Sequence, residues 1–127
     1  MKQRILVVDD NPDSLTIMRT ILENQGYEVS VAATGADALE QVKRAPPALV
    51  LLDVMMPEIS GFEVLQEIRE DAHTGRVPVI LVTAKTQDED LMSGYRYGAD
   101  YYITKPFTAK QLLYGVELVL GKGESIG

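Results

Sequence analysis

The sequence predicts one doubly wound α/β domain around a five-stranded parallel sheet, and three observations lead there. Along its 127 residues, short apolar runs alternate with segments of helical period, which is the pattern of repeated βα units. Three runs, ILVV, ALVLL and VILV, are continuously apolar, as strands covered by helices on both faces must be. Two others, EVSVA and DYYIT, mix polar with apolar residues and suit the edges of a sheet. With right-handed crossovers, the simplest order that keeps the first, third and fourth strands central is 2-1-3-4-5, a flavodoxin-like (βα)5 three-layer sandwich.

The elements follow in order. The first strand runs from Arg4 to Asp9, and Asn11-Pro12 then supplies a helix cap with a proline at the first helical position. Leu15, Met18 and Leu22 form one apolar face of that helix, which ends at Gly26. Glu28 to Ala32 is the second strand, with a helix after Thr34, and Ala48 to Asp53 is the third. Ser60 with Glu63 matches a capping box that opens the next helix. Val77 to Thr83 is the fourth strand, followed by a helix after Asp88 whose acidic start, Asp88 to Asp90, complements the helix dipole. Asp100 to Thr104 is the fifth strand. Thr108 with Gln111 is a second capping box, opening a final helix whose buried stripe is Leu112, Val116 and Val119. Residues 1–120 thus form one domain, and 121–127 a flexible tail or the start of a linker.

Composition narrows the chemistry. An apolar share of 46% is enough for a single core. The absence of cysteine excludes a disulfide framework, a thiolate nucleophile and a cysteine-ligated metal, and suits a reducing compartment. The opening MKQRILVVDDN has an apolar run too short for a signal peptide, and no stretch is long enough to cross a bilayer, so a cytoplasmic protein is expected. A formal charge of -7 opposes direct contact with nucleic acid or a membrane surface.

The polar residues gather at one edge of this frame. Asp9 and Asp10 close the first strand, Asp53 the third and Thr83 the fourth, while Lys105 follows the fifth, so all emerge at carboxyl ends of parallel strands. The first and third strands are neighbours whose helices leave to opposite faces, and the crevice between them is the switch point where such sheets bind ligands. Three carboxylates at close range, with Lys105 as the one nearby cation, call for a divalent metal. Oxygen donors without histidine or cysteine favour Mg²⁺, or Mn²⁺ in its place, and the usual Mg²⁺ arrangement includes a phosphate oxygen. Asp53 is then the natural nucleophile for phosphoryl transfer, with Thr83 and Lys105 matching the phosphoryl oxygens.

These residues identify a resemblance. VVDDN with Asp9 and Asp10, LLDVMMPEISG with Asp53, VTA with Thr83, and YITKPF with Tyr102, Lys105 and Pro106 closely resemble the receiver domain of two-component response regulators, from Lys2 to about Leu120. The resemblance implies that Asp53 accepts phosphate from a phosphohistidine on a sensor histidine kinase or a histidine phosphotransfer protein. It implies Mg²⁺ bound directly by Asp10 and through water by Asp9, with Asp53 and the main-chain carbonyl of Met55 completing the protein ligands. Thr83 and Tyr102 become a switch pair, and Lys105 and Pro106 are joined by a cis peptide. The signal would leave through the helix after Asp88, the fifth strand and the final helix, where Tyr95, Tyr97, Tyr101, Tyr102 and Tyr114 fall, toward a downstream effector or into a phosphorylation-dependent homodimer. In this family the side chains at Met55 and Lys85 tune how readily water attacks the acyl phosphate, and neither is the acid or amide of fast-cycling members. Tyr101 stands where many DNA-binding relatives carry another aspartate.

Simpler readings and rival functions stand beside these. Alone, Asp10 is a helix start, Thr83 a strand residue and Lys105 a solvated charge; their coincidence with Asp53 favours a site. His73 reads as a solvated surface residue, and Met55-Met56 as loop packing. The alternative function is a degenerate receiver that binds partners without being phosphorylated. A phosphatase with an aspartyl nucleophile would want a second acid where Met55 stands, and a flavodoxin would want hydroxyls where Asp9 and Asp10 lie.

Overall fold

The computed structural model describes residues 2–84 and 98–121. Among these the sheet has five parallel strands in the order β2-β1-β3-β4-β5, as expected. They are β1 (Arg4–Val8), β2 (Glu28–Ala32), β3 (Leu49–Asp53), β4 (Val79–Thr83) and β5 (Tyr101–Thr104). Four helices are described, α1 (Pro12–Asn24), α2 (Gly35–Arg44), α3 (Gly61–Glu70) and α4 (Ala109–Val119), the last being the one expected to open at Thr108. The helix expected after Asp88, with Lys85, Tyr95 and Tyr97, lies outside the described residues.

The period-two alternation of each central strand divides the apolar residues between two layers. Leu6, Val8, Val50, Leu52 and Leu81 face α2 and α3, meeting Ala38, Val42, Val64, Leu65 and Ile68. Ile5, Val7, Leu49, Leu51, Ile80 and Val82 face α1 and α4, meeting Met18, Leu22, Leu112 and Val116. Each fully buried leucine or isoleucine contributes about 1.5–3 kcal/mol of transfer free energy, so both layers contribute to holding the sheet between the helices. The two tyrosines of β5 separate in the same way, Tyr102 into the first layer and Tyr101 against the second.

The helix starts are built as the sequence suggested. Asn11 accepts from the amides of Asp13 and Ser14, Thr34 from that of Asp37, and Ser60 and Thr108 form complete capping boxes with Glu63 and Gln111. Gly26, with φ of 94°, takes the left-handed conformation that lets the chain leave α1 for β2. The fourth strand begins two residues later than the apolar run suggested, because the Val77 amide closes a turn on the Thr74 carbonyl at 3.0 Å and Pro78 has no amide to donate.

One side chain ties the amino-terminal end of β5 to α3. The Arg69 guanidinium donates to the carbonyls of Gly75 (3.2 Å), Val77 (2.6 Å) and Gly98 (2.8 and 3.0 Å) and to Asp100 Oδ2 (2.9 Å). Asp100 Oδ2 also accepts from the Val79 amide at 2.9 Å, so the knot joins α3, β4 and the entry to β5. Replacing Arg69 by Met would remove the donor to three carbonyls and to Asp100 at once. Urea denaturation of Arg69→Met should show a loss of about 2–4 kcal/mol, whereas breaking the exposed Arg19–Glu23 pair with Arg19→Met should change stability by no more than about 0.5 kcal/mol.

Candidate functional site

The parallel sheet delivers the candidate residues to one edge because every strand ends there. Asp9 follows β1 and prolongs its pairing with β2, its amide donating to the Ala32 carbonyl at 3.1 Å. This buries the carboxylate, which must then be satisfied from within. Asp9 Oδ1 accepts from the Asn11 amide at 2.9 Å, and Oδ2 from Lys105 Nζ at 2.7 Å. Asp10, one residue on, points out of the layer and is exposed. Asp53 ends β3 and is only 6% exposed, more enclosed than its place at the head of a loop suggested. Its Oδ1 accepts from the Met55 amide at 3.2 Å, and its Oδ2 lies 3.9 Å from Lys105 Nζ.

The loop after β3 turns back tightly over this edge. Gly61, which opens α3, donates its amide to the Val54 carbonyl at 2.9 Å, and a Cβ at this position would collide with the Asp53 carbonyl oxygen. Glu58 holds a positive φ of 69° in the same turn. Thr83 is fully buried at the end of β4, in register with Thr104, and its carbonyl accepts from the Lys105 amide at 2.8 Å. The Lys105–Pro106 peptide is cis.

The result is a cluster of Asp9, Asp10 and Asp53 whose carboxylate oxygens lie within 4.8 Å of one another. Burial first, and the carboxylate of Asp9 next, push the Asp53 pKa up from 3.8 to about 6, against the opposing pull of Lys105 and the Met55 amide. Among the described residues the cluster therefore holds more negative charge than the Lys105 ammonium offsets. Hard oxygen donors in this excess suit Mg²⁺, and the exposed Asp10 is the carboxylate freest to bind it, since both oxygens of Asp9 already accept a proton donor.

The pair Met55-Met56 divides instead of packing together. Met56 lies against the α2 and α3 layer, but Met55 turns its amide to Asp53 and is 56% exposed. Met55, Met56, Pro57, Ser60 and Phe62 with Asp10 wall a groove of about 540 Å³ beside the carboxylates. Two contributions were not foreseen from the sequence. The Asn11 amide that satisfies Asp9 was hidden behind its more obvious capping role, and the groove depends on how the turn folds back, for which only Gly61 is a local signal.

The raised Asp53 pKa sets a pH dependence. The native protein holds the Asp53 proton more tightly than the unfolded chain, so the stabilisation is complete below the ordinary value of 3.8 and is lost as pH rises through about 6. At neutral pH and without divalent cation, Asp53→Asn should be more stable than the parent by about 2 kcal/mol after allowance for solvent screening. In urea titrations the difference should shrink toward pH 4 and when Mg²⁺ is added. An Asn variant less stable than the parent at neutral pH would mean that Asp53 is not held at an electrostatic cost.

Comparison with known proteins adds an independent line. The family described as response regulator receiver domain matches residues 5–117. The chain is 40% identical over 98% of its length to the DNA-binding response regulator MtrA of Mycolicibacterium smegmatis, covering 53% of that protein. It is 38% identical over 92% of its length to protein PilH of Pseudomonas aeruginosa, covering 97% of that one. It thus spans about half of MtrA and nearly all of PilH. Among solved structures it is similar to the receiver domain of the Pseudomonas aeruginosa sensor histidine kinase PA1611, which holds a magnesium ion in its active-site cleft. The TM-score there is 0.88 at 30% identity, covering 95% of this chain and 99% of that one.

Proposed function

The chain belongs to the response regulator receiver family of two-component systems, and on that premise we propose that it is a phosphoacceptor switch in which Asp53 takes a phosphoryl group from a phosphohistidine on a partner. The observation that carries this reading is the convergence of Asp9, Asp10 and Asp53 on a single ammonium, with Lys105 Nζ 2.7 Å from Asp9 and 3.9 Å from Asp53. A carboxylate with a pKa of about 6 is ionised at neutral pH and more basic than an ordinary one, as a nucleophile should be.

In the transfer, an Asp53 oxygen forms the new P–O bond as the P–N bond to imidazole breaks. The imidazole leaves with the electron pair and takes up a proton. Lys105 faces the incoming oxygens from one side, and the Thr83 hydroxyl, at the buried end of β4, approaches from another. Mg²⁺ held by Asp10, Asp53 and the main-chain carbonyl of Met55, with Asp9 through water, would neutralise charge on the phosphoryl group, and Mn²⁺ would serve in its place. Asp9 keeps Lys105 in position throughout.

The donor on this reading is a sensor histidine kinase or a histidine phosphotransfer protein. Output passes through β5, α4 and the segment between β4 and β5. Thr83 turning toward the phosphoryl oxygens alters the space beside Tyr102, which is buried one strand away, and a partner that prefers that arrangement shifts the population toward it. Tyr101, Tyr102 and Tyr114 line a groove of about 410 Å³ with Pro106 and Lys110, and Tyr114, 61% exposed, is the anchor a partner would meet first. The effector is either a further domain, as the length of MtrA suggests, or a separate protein or second copy.

Incubation with acetyl phosphate and Mg²⁺ should add one phosphoryl group by intact mass, none in Asp53→Asn and none after chelation. Labelling of Asp53→Asn equal to the parent would refute Asp53 as acceptor, and a parent never labelled by any donor would favour the phosphorylation-independent module. With apolar Met55 and basic Lys85 unable to orient water as an acid or amide does, the acyl phosphate should be long-lived. Met55→Asn with Lys85→Glu should speed phosphate release about tenfold, equivalent to about 1.4 kcal/mol of barrier; an unchanged rate would place the control elsewhere.

A further inference from the structure

We infer that Met55 is an oxidation-sensitive site through which peroxide shortens the life of the acyl phosphate on Asp53, an inference that rests on the reading of Asp53 as phosphoacceptor. Three observations carry it. The chain has no cysteine, so thioethers are its only oxidisable sulfur. Among the described methionines the thioethers differ sharply in access: Met18 is 1% exposed, Met56 is packed against the core, and Met55 is 56% exposed. And Met55 is fastened to the nucleophile, its own amide donating to Asp53 Oδ1 at 3.2 Å while its side chain walls the groove that also contains Asp10.

The chemistry is a two-electron oxygen transfer. The Met55 sulfur lone pair attacks one oxygen of hydrogen peroxide, the S–O bond forms as the O–O bond breaks, and the proton on the transferred oxygen passes to the departing hydroxide, leaving sulfoxide and water. Sulfur is oxidised and peroxide reduced, with no further reactant. The product changes what stands at the mouth of the site. The Met55 thioether, on the side of the groove lined by Phe62 and Met56, is at most a weak acceptor for water. A sulfoxide oxygen is a strong acceptor on the same flexible stem, able to hold a water molecule over the phosphoryl group on Asp53. One ordinary hydrogen bond to the attacking water would speed hydrolysis about fivefold. Because sulfoxide reduction restores the thioether, the effect is reversible.

The test oxidises the whole chain with hydrogen peroxide, removes the oxidant, loads the protein from acetyl phosphate with Mg²⁺ and times phosphate release. Peptide mapping follows oxidation residue by residue. Met55 should gain oxygen well ahead of Met18 and Met56, the treated parent should release phosphate about fivefold faster than the untreated one, and methionine sulfoxide reductase should restore the slow rate. In Met55→Leu the ratio of treated to untreated rates should be near one, and in Met56→Leu it should match the parent. Oxidation of Met55 without a change in rate, or an equal acceleration in Met55→Leu, would overturn the inference while leaving Asp53 as acceptor. Failure of the untreated protein to take up phosphate would overturn both.

Discussion

The ion pair between Lys105 and Asp9, 2.7 Å long, is what allows three carboxylates to share one edge of the sheet. Two carboxylates 4.8 Å apart repel by about 3.5 kcal/mol at an effective dielectric of about 20, a large part of the few kcal/mol by which a domain is stable. One ammonium cannot cancel that for all three. It is committed to the most buried acid, Asp9, and reaches Asp53 only at 3.9 Å. Burial first, and the repulsion of Asp9 next, raise the Asp53 pKa to about 6, and the more distant ammonium offsets them only in part.

The fold around that edge is equally a matter of where strands stop. β3 and β4 are buried along their length and β1 from Ile5 onward, and the first residue beyond the apolar run, or the last within it, is the one that emerges between helices. A polar group there is enclosed by the flanking loops and held by donors from the backbone that follows it. This is how the Asn11 amide comes to bond Asp9 and the Met55 amide to bond Asp53, each two residues downstream of its acid. The turn that follows the strand thus orients the side chain that ends it.

Much of this was legible in the sequence because it is local or periodic. The continuous runs ILVV, ALVLL and VILV gave the central strands, the mixed EVSVA and DYYIT gave the edges, and Asn11, Ser60 and Thr108 announced their helices by cap chemistry alone. Asp9, Asp10, Asp53 and Lys105 could be brought together because strand ends of a parallel sheet must meet. What could not be read depends on distances between segments remote in sequence. Nothing in the string distinguishes Asp9 from Asp10 as the partner of Lys105, a pairing across 96 positions. Arg69 reads as one more charge on a solvated helix face, yet it reaches Gly98 and Asp100 because α3 happens to end beside the entrance to β5. Met55 reads as packing and is a rim residue, its amide bonded to Asp53 and its side chain left exposed at the groove.

The sheet also acts as a partition. Among the described residues its two apolar layers, one against α2 and α3 and the other against α1 and α4, form separate clusters, and the side chains of any one strand are dealt alternately to the two sides. Substitutions within a layer share neighbours and must be chosen together, whereas substitutions on opposite sides combine independently. A lineage can therefore rebuild the α1 and α4 side to suit a new neighbour, one residue at a time, while the α2 and α3 side goes on holding the turn over Asp53 unchanged.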